Sequence, residues 1–120
     1  MFMKGIKPVI LAVLTAIFLK LFVFDFIIAQ GHSMEPAIYD GQVLVISRLS
    51  YIFRQPEAGE VVIFYTPDGN IAVKRVTSLS NCSAAGFTFF AEGDNSAVSY
   101  DSRSYGAVNI KNIIGKVLGY

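Results

Sequence analysis

The stretch EVVIFYTPDGNIAVKRVT, residues 60–77, predicts a β-hairpin. Its two halves are rich in β-branched and aromatic residues, the composition that is typical of strands. They flank Pro67-Asp68-Gly69-Asn70, in which proline presets one backbone angle and glycine allows a positive φ. A short turn between two such runs joins antiparallel strands. A β domain is therefore the first hypothesis for the fold.

Further strand signals surround the hairpin. Short apolar and β-branched runs bounded by turn residues occur at 42–47, 86–92 and 113–118, and residues 49–54 fit either a loop or a short helix. No helical period of comparable length occurs beyond residue 30. We therefore expect a mainly β fold, in which residues 30–120 form a small antiparallel β domain.

The N-terminal residues 8–30 are apolar except for a few positions, chiefly Lys20 and Asp25. A helix needs about 20 apolar residues to span a bilayer, and the uninterrupted part, residues 9–19, is about half of that. Three interpretations fit: a cleaved secretory signal, a buried core helix, and an uncleaved anchor with Lys20 snorkelling at the interface. We favour the anchor, which assigns residues 1–29 to a cytoplasmic N-terminus and one transmembrane helix.

Charge sets the expected orientation of this anchor. Three lysines against one aspartate give residues 1–29 a net charge of +2. Lys4 and Lys7 precede the apolar segment, and positive residues in that position stay in the cytoplasm. The β domain is therefore expected on the extracytoplasmic side of the membrane.

The composition argues against several functional classes. Residues 30–120 hold seven basic and eight acidic side chains, so they lack the basic surplus that nucleic-acid binding requires. The chain has one cysteine, Cys82, which rules out an intramolecular disulfide. No cluster of cysteine and histidine has metal-ligand spacing, and neither a metal nor another cofactor is expected.

The stretch GHSMEP, residues 31–36, places the single histidine of the chain next to a serine. Adjacent side chains of an extended backbone point to opposite sides, so His32 cannot easily reach the Ser33 hydroxyl. If Ser33 is a nucleophile, its base must come from elsewhere. A lysine can serve when burial keeps it neutral, and Lys74 in the second hairpin strand is a candidate. Lys74 and Arg75 face opposite ways in a strand, and the alternative is that both lie on a solvated edge.

Four segments resemble, in order, the conserved boxes of the type I signal peptidases. They are GHSMEP at 31–36, EAGEVVIFYTP at 57–67, AVKRV at 72–76 and GDNSAVSYDSR at 93–103. The last is the most specific, because its spacing of Gly-Asp-Asn, serine, aspartate and arginine is hard to obtain by chance. The resemblance runs from about residue 20 to the C-terminus and implies the signal-peptidase, LexA-like β fold.

The resemblance also implies roles for individual residues. Ser33 is then the nucleophile and Lys74 its general base. Ser99 orients the lysine amine, and Asp101 and Arg103 form an ion pair that braces the site. The family cuts after small residues at the first and third positions before the bond. The residues that flank the dyad in sequence are then the expected pocket lining: Ile27, Ile28, Ala29, Gln30, Met34, Ile38, Ile71, Ala72 and Val73.

Three departures from the family pattern stand out. Gly31 stands where many bacterial members have a serine whose hydroxyl can donate to the oxyanion. In this chain the donors to the oxyanion must then be backbone N–H groups, chiefly that of Ser33. Ser96 stands where many members have arginine. About 16 residues separate Arg75 from Glu92, where larger members insert a second β subdomain, so this chain resembles a near-minimal version.

We therefore expect a membrane-anchored serine endopeptidase of the Ser-Lys type that removes signal peptides from exported preproteins. Its expected partners are the signal peptides of preproteins and the lipid bilayer, and its expected location is the bacterial plasma membrane, as a single-pass protein. Three alternatives stay open: a specialised peptidase of a conjugation or organellar pathway, a self-cleaving regulator that shares the β fold, and a non-catalytic membrane-anchored β interaction module.

Overall fold

The protein after residue 23 is built around one antiparallel sheet. The computed structural model describes residues 2–82, 84 and 86–120, and these contain seven strands. The strands are β1 (Phe24–Ile28), β2 (Val43–Ser47), β3 (Val61–Tyr65), β4 (Ile71–Cys82), β5 (Gly86–Glu92), β6 (Val108–Asn109) and β7 (Ile113–Gly119). They lie in the order β1-β2-β7-β3-β4-β5-β6, and each neighbouring pair is antiparallel. The expected mainly β, antiparallel fold is confirmed.

The hairpin predicted at residues 60–77 is formed by β3 and β4. Its register pairs Val61 with Arg75. In the turn, Gly69 has a φ of 84°, a conformation that glycine adopts without strain. β4 extends past the predicted end to Cys82, because β5 pairs with its second half.

The other predicted strands are also confirmed, since β2, β5 and β7 begin and end within one residue of the predicted bounds. Residues 49–54 form a loop of turns and bends. β6 is two residues long and has no signal of its own in the sequence. The connections contain one short helix, Ser102–Tyr105, which is labelled α2 because the N-terminal helix α1 (Phe2–Phe18) precedes it in the chain. They also contain 3-10 turns at Ser96–Val98 and Ile110–Asn112.

The N-terminal segment is helical. α1 spans Phe2–Phe18, and a π-helical segment, Leu19–Val23, continues it. In the described part of the chain, no helix is long and apolar enough to cross a bilayer. The transmembrane helix expected within residues 1–29 is thus not shown, and residue 1 and the side chain of Lys4 lie outside what the structure describes.

Strand β1 begins at Phe24, inside the range that the sequence assigns to the anchor. Its side chains alternate, since Phe26 and Ile28 are exposed whereas Ile27 packs against the core. Both faces of this strand are apolar apart from Asp25, so the two-residue period that reveals a half-buried strand is hidden in the sequence.

The central strand β3 is buried on both faces. Val61 and Ile63 belong to one apolar cluster, whereas Val62 and Phe64 belong to a second. The first cluster also contains Ala29, Met34, Ile38, Leu44, Ile46 and Val117, and the second also contains Val76, Phe89, Ala91 and Val108. Four consecutive apolar residues of β3 thus join the two clusters, and the first cluster supports the turn that contains Ser33.

Gly115 of β7 occupies a position where the sheet has no room for a side chain. A Cβ atom added there would lie 2.6 Å from both the Ile46 Cγ2 atom and the Ser47 carbonyl oxygen. We expect Gly115→Ala to lower the free energy of unfolding by about 1–3 kcal/mol, because β2 must move to relieve the overlap. Urea unfolding of the purified chain, followed by circular dichroism, measures the change.

Gly119→Ala is the matched control in the same strand. A Cβ atom at Gly119 meets nothing within 4 Å. This variant should change the free energy of unfolding by less than about 0.5 kcal/mol. Equal stability of the two variants would contradict the close packing described between β2 and β7.

Candidate active site

The side chains of Ser33 and Lys74 meet at one end of β1. Ser33 lies in the turn that follows β1, and Lys74 lies in β4. The Lys74 Nζ atom is hydrogen-bonded to the Ser33 Oγ atom over 2.6 Å. Lys74 is 6% exposed, so the alternative that it lies on a solvated edge is wrong. The fold thus brings together two residues that stand 41 positions apart in the chain.

Alternation along β4 explains why only one of its two adjacent cations enters this site. Arg75 turns to the other side of the strand, where its guanidinium donates to both carboxylate oxygens of Asp94 over 2.9 and 2.8 Å. It also donates to the Gly59 carbonyl over 2.8 Å. In β4, Lys74 therefore contacts Ser33, whereas the neighbouring Arg75 binds the loop that follows β5.

Burial lowers the pKa of Lys74 from its ordinary value, because the ammonium form loses hydration. The nearby Asp101 carboxylate opposes this effect by favouring the ammonium, and the Arg103 guanidinium adds to the lowering by repelling it. The net effect increases the fraction of neutral amine at any given pH. The neutral amine is the form that can accept a proton from a serine hydroxyl.

Asp101 is fully buried, and its carboxylate accepts hydrogen bonds from three residues. Its Oδ2 atom accepts from the Gly93 N–H over 2.8 Å, from the Ser99 hydroxyl over 2.5 Å and from the Arg103 guanidinium over 2.5 Å. Burial by itself raises the pKa of this carboxyl, but these hydrogen bonds outweigh it and hold the pKa well below its usual range. Asp101 is therefore a buried anion in the interior of the site.

Ser99 and Arg103 both lie beside Asp101. The Ser99 hydroxyl donates to Asp101 in this structure, so its expected hydrogen bond to the Lys74 amine stays a prediction. Arg103 forms an ion pair with Asp101, and its side chain is 37% exposed while that of Asp101 is 0% exposed. The pair therefore connects the interior of the site with the surface.

The segment Gly93–Asn95 reads as a plain turn in the sequence, but it packs against the turn that contains Ser33. A Cβ atom at Gly93 would lie 2.1 Å from the Ser99 Oγ atom and 2.6 Å from the Ser33 carbonyl oxygen, so only glycine fits. The Asn95 N–H donates to the Ser33 carbonyl over 2.8 Å, and its side-chain Nδ2 donates to the His32 carbonyl over 3.1 Å. A turn motif indicates backbone conformation and does not reveal such packing partners.

His32 bonds to Glu35 rather than to the Ser33 hydroxyl. His32 and Ser33 lie in a turn and not in an extended strand. The side chain of His32 is 64% exposed, and its Nδ1 atom lies 2.6 Å from the Glu35 Oε1 atom. The hydrogen bond with Glu35 raises the pKa of His32. His32 is thus an exposed neighbour of the site that pairs with Glu35.

A cleft of about 670 Å³ opens beside Ser33 and Lys74. All nine residues expected as pocket lining border it: Ile27, Ile28, Ala29, Gln30, Met34, Ile38, Ile71, Ala72 and Val73. Sequence reasoning missed five others: Ile63, Thr66, Asn70, Val98 and Tyr100. The hairpin register places Ile63 opposite Val73, and this pairing could have identified it. No group of His, Cys, Asp and Glu in the described part of the chain could hold a metal ion.

A free strand edge borders the cleft. In the β3–β4 ladder, the Thr66 N–H donates to the Asn70 carbonyl over 2.8 Å. Hydrogen-bonded residues alternate along an antiparallel strand, so the backbone groups of Ile71 and Val73 point away from β3. Pairing between β4 and β5 starts only at Arg75. The backbone groups of Ile71 and Val73 therefore form an edge that an extended peptide can join.

Comparisons with known proteins point to one family. A family model described as signal peptidase, peptidase S26, matches residues 2–80 and 85–119. The chain is similar to signal peptidase I of Bacillus caldolyticus, 26% identical over an alignment of 156 positions that covers 92% of this chain and 86% of that protein. It is similar to signal peptidase I V of Bacillus subtilis (strain 168), 24% identical over 162 aligned positions, covering 97% and 94%. Mitochondrial inner membrane protease subunit 1 of Xenopus tropicalis is 32% identical over 114 aligned positions, covering 80% and 68%.

The ionised Asp101 is expected to make stability depend on pH in the acid range. Its folded-state pKa lies below the ordinary value of about 3.9, so its contribution is fully present above that value and is lost as pH falls through the folded-state pKa. Asp101→Asn should lower the free energy of unfolding at neutral pH by about 1.5–3 kcal/mol, because hydrogen bonds to a charged acceptor are lost. Below roughly pH 4 the gap between wild type and variant should narrow.

Denaturant unfolding at a series of pH values measures this gap. Glu57→Gln is the control for the change of a carboxylate to an amide, because Glu57 is exposed and lies outside the site. A gap between wild type and Asp101→Asn that stays constant down to roughly pH 2 would show that Asp101 has no lowered pKa.

Proposed function

We propose that this chain, which belongs to the signal peptidase family, peptidase S26, is a membrane-anchored serine endopeptidase that cleaves signal peptides from exported preproteins. The observation that carries the proposal is the 2.6 Å contact between the buried Lys74 amine and the Ser33 hydroxyl. Hydrolysis of a peptide bond by a serine requires a base within hydrogen-bond reach of the hydroxyl, and this contact supplies it.

The proposed reaction starts when the neutral Lys74 amine accepts the proton of the Ser33 hydroxyl while Oγ attacks the carbonyl carbon of the scissile bond. The tetrahedral intermediate then collapses: the C–N bond breaks, and the Lys74 ammonium gives its proton to the leaving amine. An ester on Ser33 remains. Water attacks this ester with Lys74 again as the base, which releases the new carboxyl terminus and restores the Ser33 hydroxyl.

Backbone N–H groups serve the oxyanion of the intermediate in this proposal. Gly31 has no hydroxyl, and its N–H donates to the Asp40 Oδ1 atom over 2.8 Å. The Ser33 N–H has no acceptor among the described residues, and it lies on the attacking residue itself. It is therefore available to donate to the oxygen on which negative charge develops.

The preprotein binds in extended form along the free edge formed by Ile71 and Val73. Main-chain hydrogen bonds to such an edge hold a peptide without regard to its sequence, and pockets beside the edge select its side chains. Ile28, Ile38 and Val73 border the cleft next to Ser33. Because these side chains are bulky, the cleft has space only for small residues at the first and third positions before the scissile bond.

The membrane anchor in this proposal is supported by the exposed apolar side chains of α1. Val9, Leu11 and Leu14 are 61%, 66% and 58% exposed, and apolar surface of this kind marks contact with lipid or protein. An anchor holds Ser33 where the apolar segment of a signal peptide ends, which is a proximity effect. Because Lys7 precedes the apolar stretch, the β domain lies on the extracytoplasmic side of a bacterial plasma membrane.

The rate of cleavage should rise with pH through the lowered pKa of Lys74. Below this pKa the amine is protonated and cannot take the Ser33 proton, and above it the base is free. Lys74→Ala and Lys74→Arg should both be inactive, since a guanidinium keeps its proton at every accessible pH. Rates of cleavage of one purified precursor, measured across pH for wild type and both variants, check this expectation.

His32→Ala is the control for the identity of the base. It should keep most of the activity and the same pH midpoint, because His32 pairs with Glu35 rather than with the dyad. An inactive His32→Ala together with an active Lys74→Arg would overturn the mechanism. Failure of a serine-reactive probe to label Ser33 would favour the non-catalytic module instead.

Substrate selection should depend on the size of the residue before the scissile bond. Replacing Ala by Phe at this position of a precursor should lower kcat/KM by about 10²-fold or more, because the pocket has no room for a ring. The same replacement inside the apolar segment of the signal peptide is the control and should change the rate little. Equal kcat/KM for Ala and Phe at the cleavage position would show that the pocket is assigned wrongly.

A further inference from the structure

Asn95 contacts the turn that contains the nucleophile at two points. Its backbone N–H donates to the Ser33 carbonyl over 2.8 Å, and its side-chain Nδ2 donates to the His32 carbonyl over 3.1 Å. These carbonyls belong to the two peptide units that flank the α-carbon of Ser33. Asn95 therefore contacts the peptide planes on both sides of the nucleophile, and the Glu35 N–H also donates to the His32 carbonyl, over 3.2 Å.

The direction of each carbonyl fixes the direction of the N–H in the same peptide unit. Both units are trans, and in a trans unit the C=O and N–H bonds point in opposite directions. The unit that carries the His32 carbonyl also carries the Ser33 N–H, and the unit that carries the Ser33 carbonyl also carries the Met34 N–H. Drawing the two carbonyls towards Asn95 thus turns the two N–H groups away from it.

Ser33 and Met34 border the cleft, whereas Asn95 does not. Neither the Ser33 N–H nor the Met34 N–H has an acceptor among the described residues. Two open donors that point away from Asn95 therefore belong to residues that border the cleft, where a substrate carbonyl would lie.

Asn95 is itself held in place by its neighbours. The Gly93 N–H donates to Asp101, and the Asp94 carboxylate pairs with the Arg75 guanidinium. Asn95 precedes the 3-10 turn Ser96–Val98, yet its side chain caps no N–H of that turn. Its amide donates to the His32 carbonyl instead.

We propose that Asn95 is a positioning residue for an oxyanion site built from backbone N–H groups, a role that rests on the proposed function. Because Gly31 brings no hydroxyl, the Ser33 N–H carries the stabilisation of the oxyanion, and its direction decides how strong that stabilisation is. Asparagine suits this task because its amide donates without adding charge, whereas the carboxylate of aspartate only accepts. Asn95 acts through the peptide unit and does not touch the substrate.

Two variants at this position test the proposal on the purified full-length chain with one precursor. Asn95→Ala removes the side-chain donor, and Asn95→Asp keeps the shape but sets an acceptor against the His32 carbonyl. We expect kcat to fall by about 10²-fold in Asn95→Ala, the loss that a displacement of about 1 Å causes in an active site, and further in Asn95→Asp. KM and the pH midpoint of kcat should stay unchanged, because the cleft and the Lys74–Ser33 contact are intact.

A boronic acid peptide with the sequence before the scissile bond gives a second readout. Its boron atom bonds to the Ser33 Oγ atom, and one of its oxygens takes the place of the oxyanion. Its affinity should fall by the same factor as kcat in both Asn95 variants. A role of Asn95 in stability alone would lower Tm and leave kcat and this affinity at their wild-type values below Tm, which would overturn the proposal.

Asn81→Ala is the matched control, because Asn81 is exposed in β4 outside the site, and it should match wild type. Unchanged kcat in both Asn95 variants, or a higher KM at unchanged kcat, would overturn the positioning role while a cleaving wild type upholds the proposed function. A wild type that neither cleaves the precursor nor binds the boronic acid would overturn both.

Discussion

The contact between the Lys74 amine and the Ser33 hydroxyl constrains the rest of the site, because a lysine is tolerated in the interior only where its charge is lost or compensated. Asp101 favours the charged form of Lys74, and Arg103 disfavours it. Since the two act in opposite directions, burial is left as the dominant cause of the lowered pKa. A buried carboxylate without its arginine would stabilise the ammonium form of Lys74 and raise its pKa. Because Arg103 offsets its charge, the Asp101 carboxylate can accept hydrogen bonds in the site without holding Lys74 in its ammonium form.

The ladder between β4 and β5 sets the geometry around this contact. Arg75 pairs with Glu92, so the chain leaves β5 at Gly93 beside the strand that carries Lys74. A bulge between Val76 and Ser78 shifts the register one step further along. A slip of one residue in such a ladder turns every side chain to the opposite face. The position of the segment Gly93–Asn95 against Ser33 therefore depends on strand register as much as on the loop itself.

Much of the fold was predictable because turn residues bound its strands and the hairpin signal at Pro67–Asn70 is strong. The pairing of Ser33 with Lys74 could be predicted only from the resemblance of four segments to the boxes of the signal peptidases, because adjacent Lys74 and Arg75 in a strand also fit a solvated edge. Strand β1 could not, since apolar residues on both faces hide its period. Nor could the hydrogen bonds of Asn95 to Ser33 and His32, because a turn motif specifies backbone angles and its partners are set by tertiary packing. The sequence does not reveal features whose position depends on contacts between residues far apart in the chain.

The stability of the sheet and the geometry of the site are coupled through β5. Phe89 and Ala91 of this strand are buried in the second apolar cluster, and the Ala91 N–H donates to the Ser102 hydroxyl over 3.0 Å. Ser102 stands next to Asp101, whose carboxylate holds Gly93 just beyond the end of β5. Packing of β5 in the second apolar cluster thus fixes the loop that directly follows the strand. Because the ladder between β4 and β5 starts at Arg75, directly after Lys74, it sets where the loop after β5 lies relative to Lys74 and Ser33.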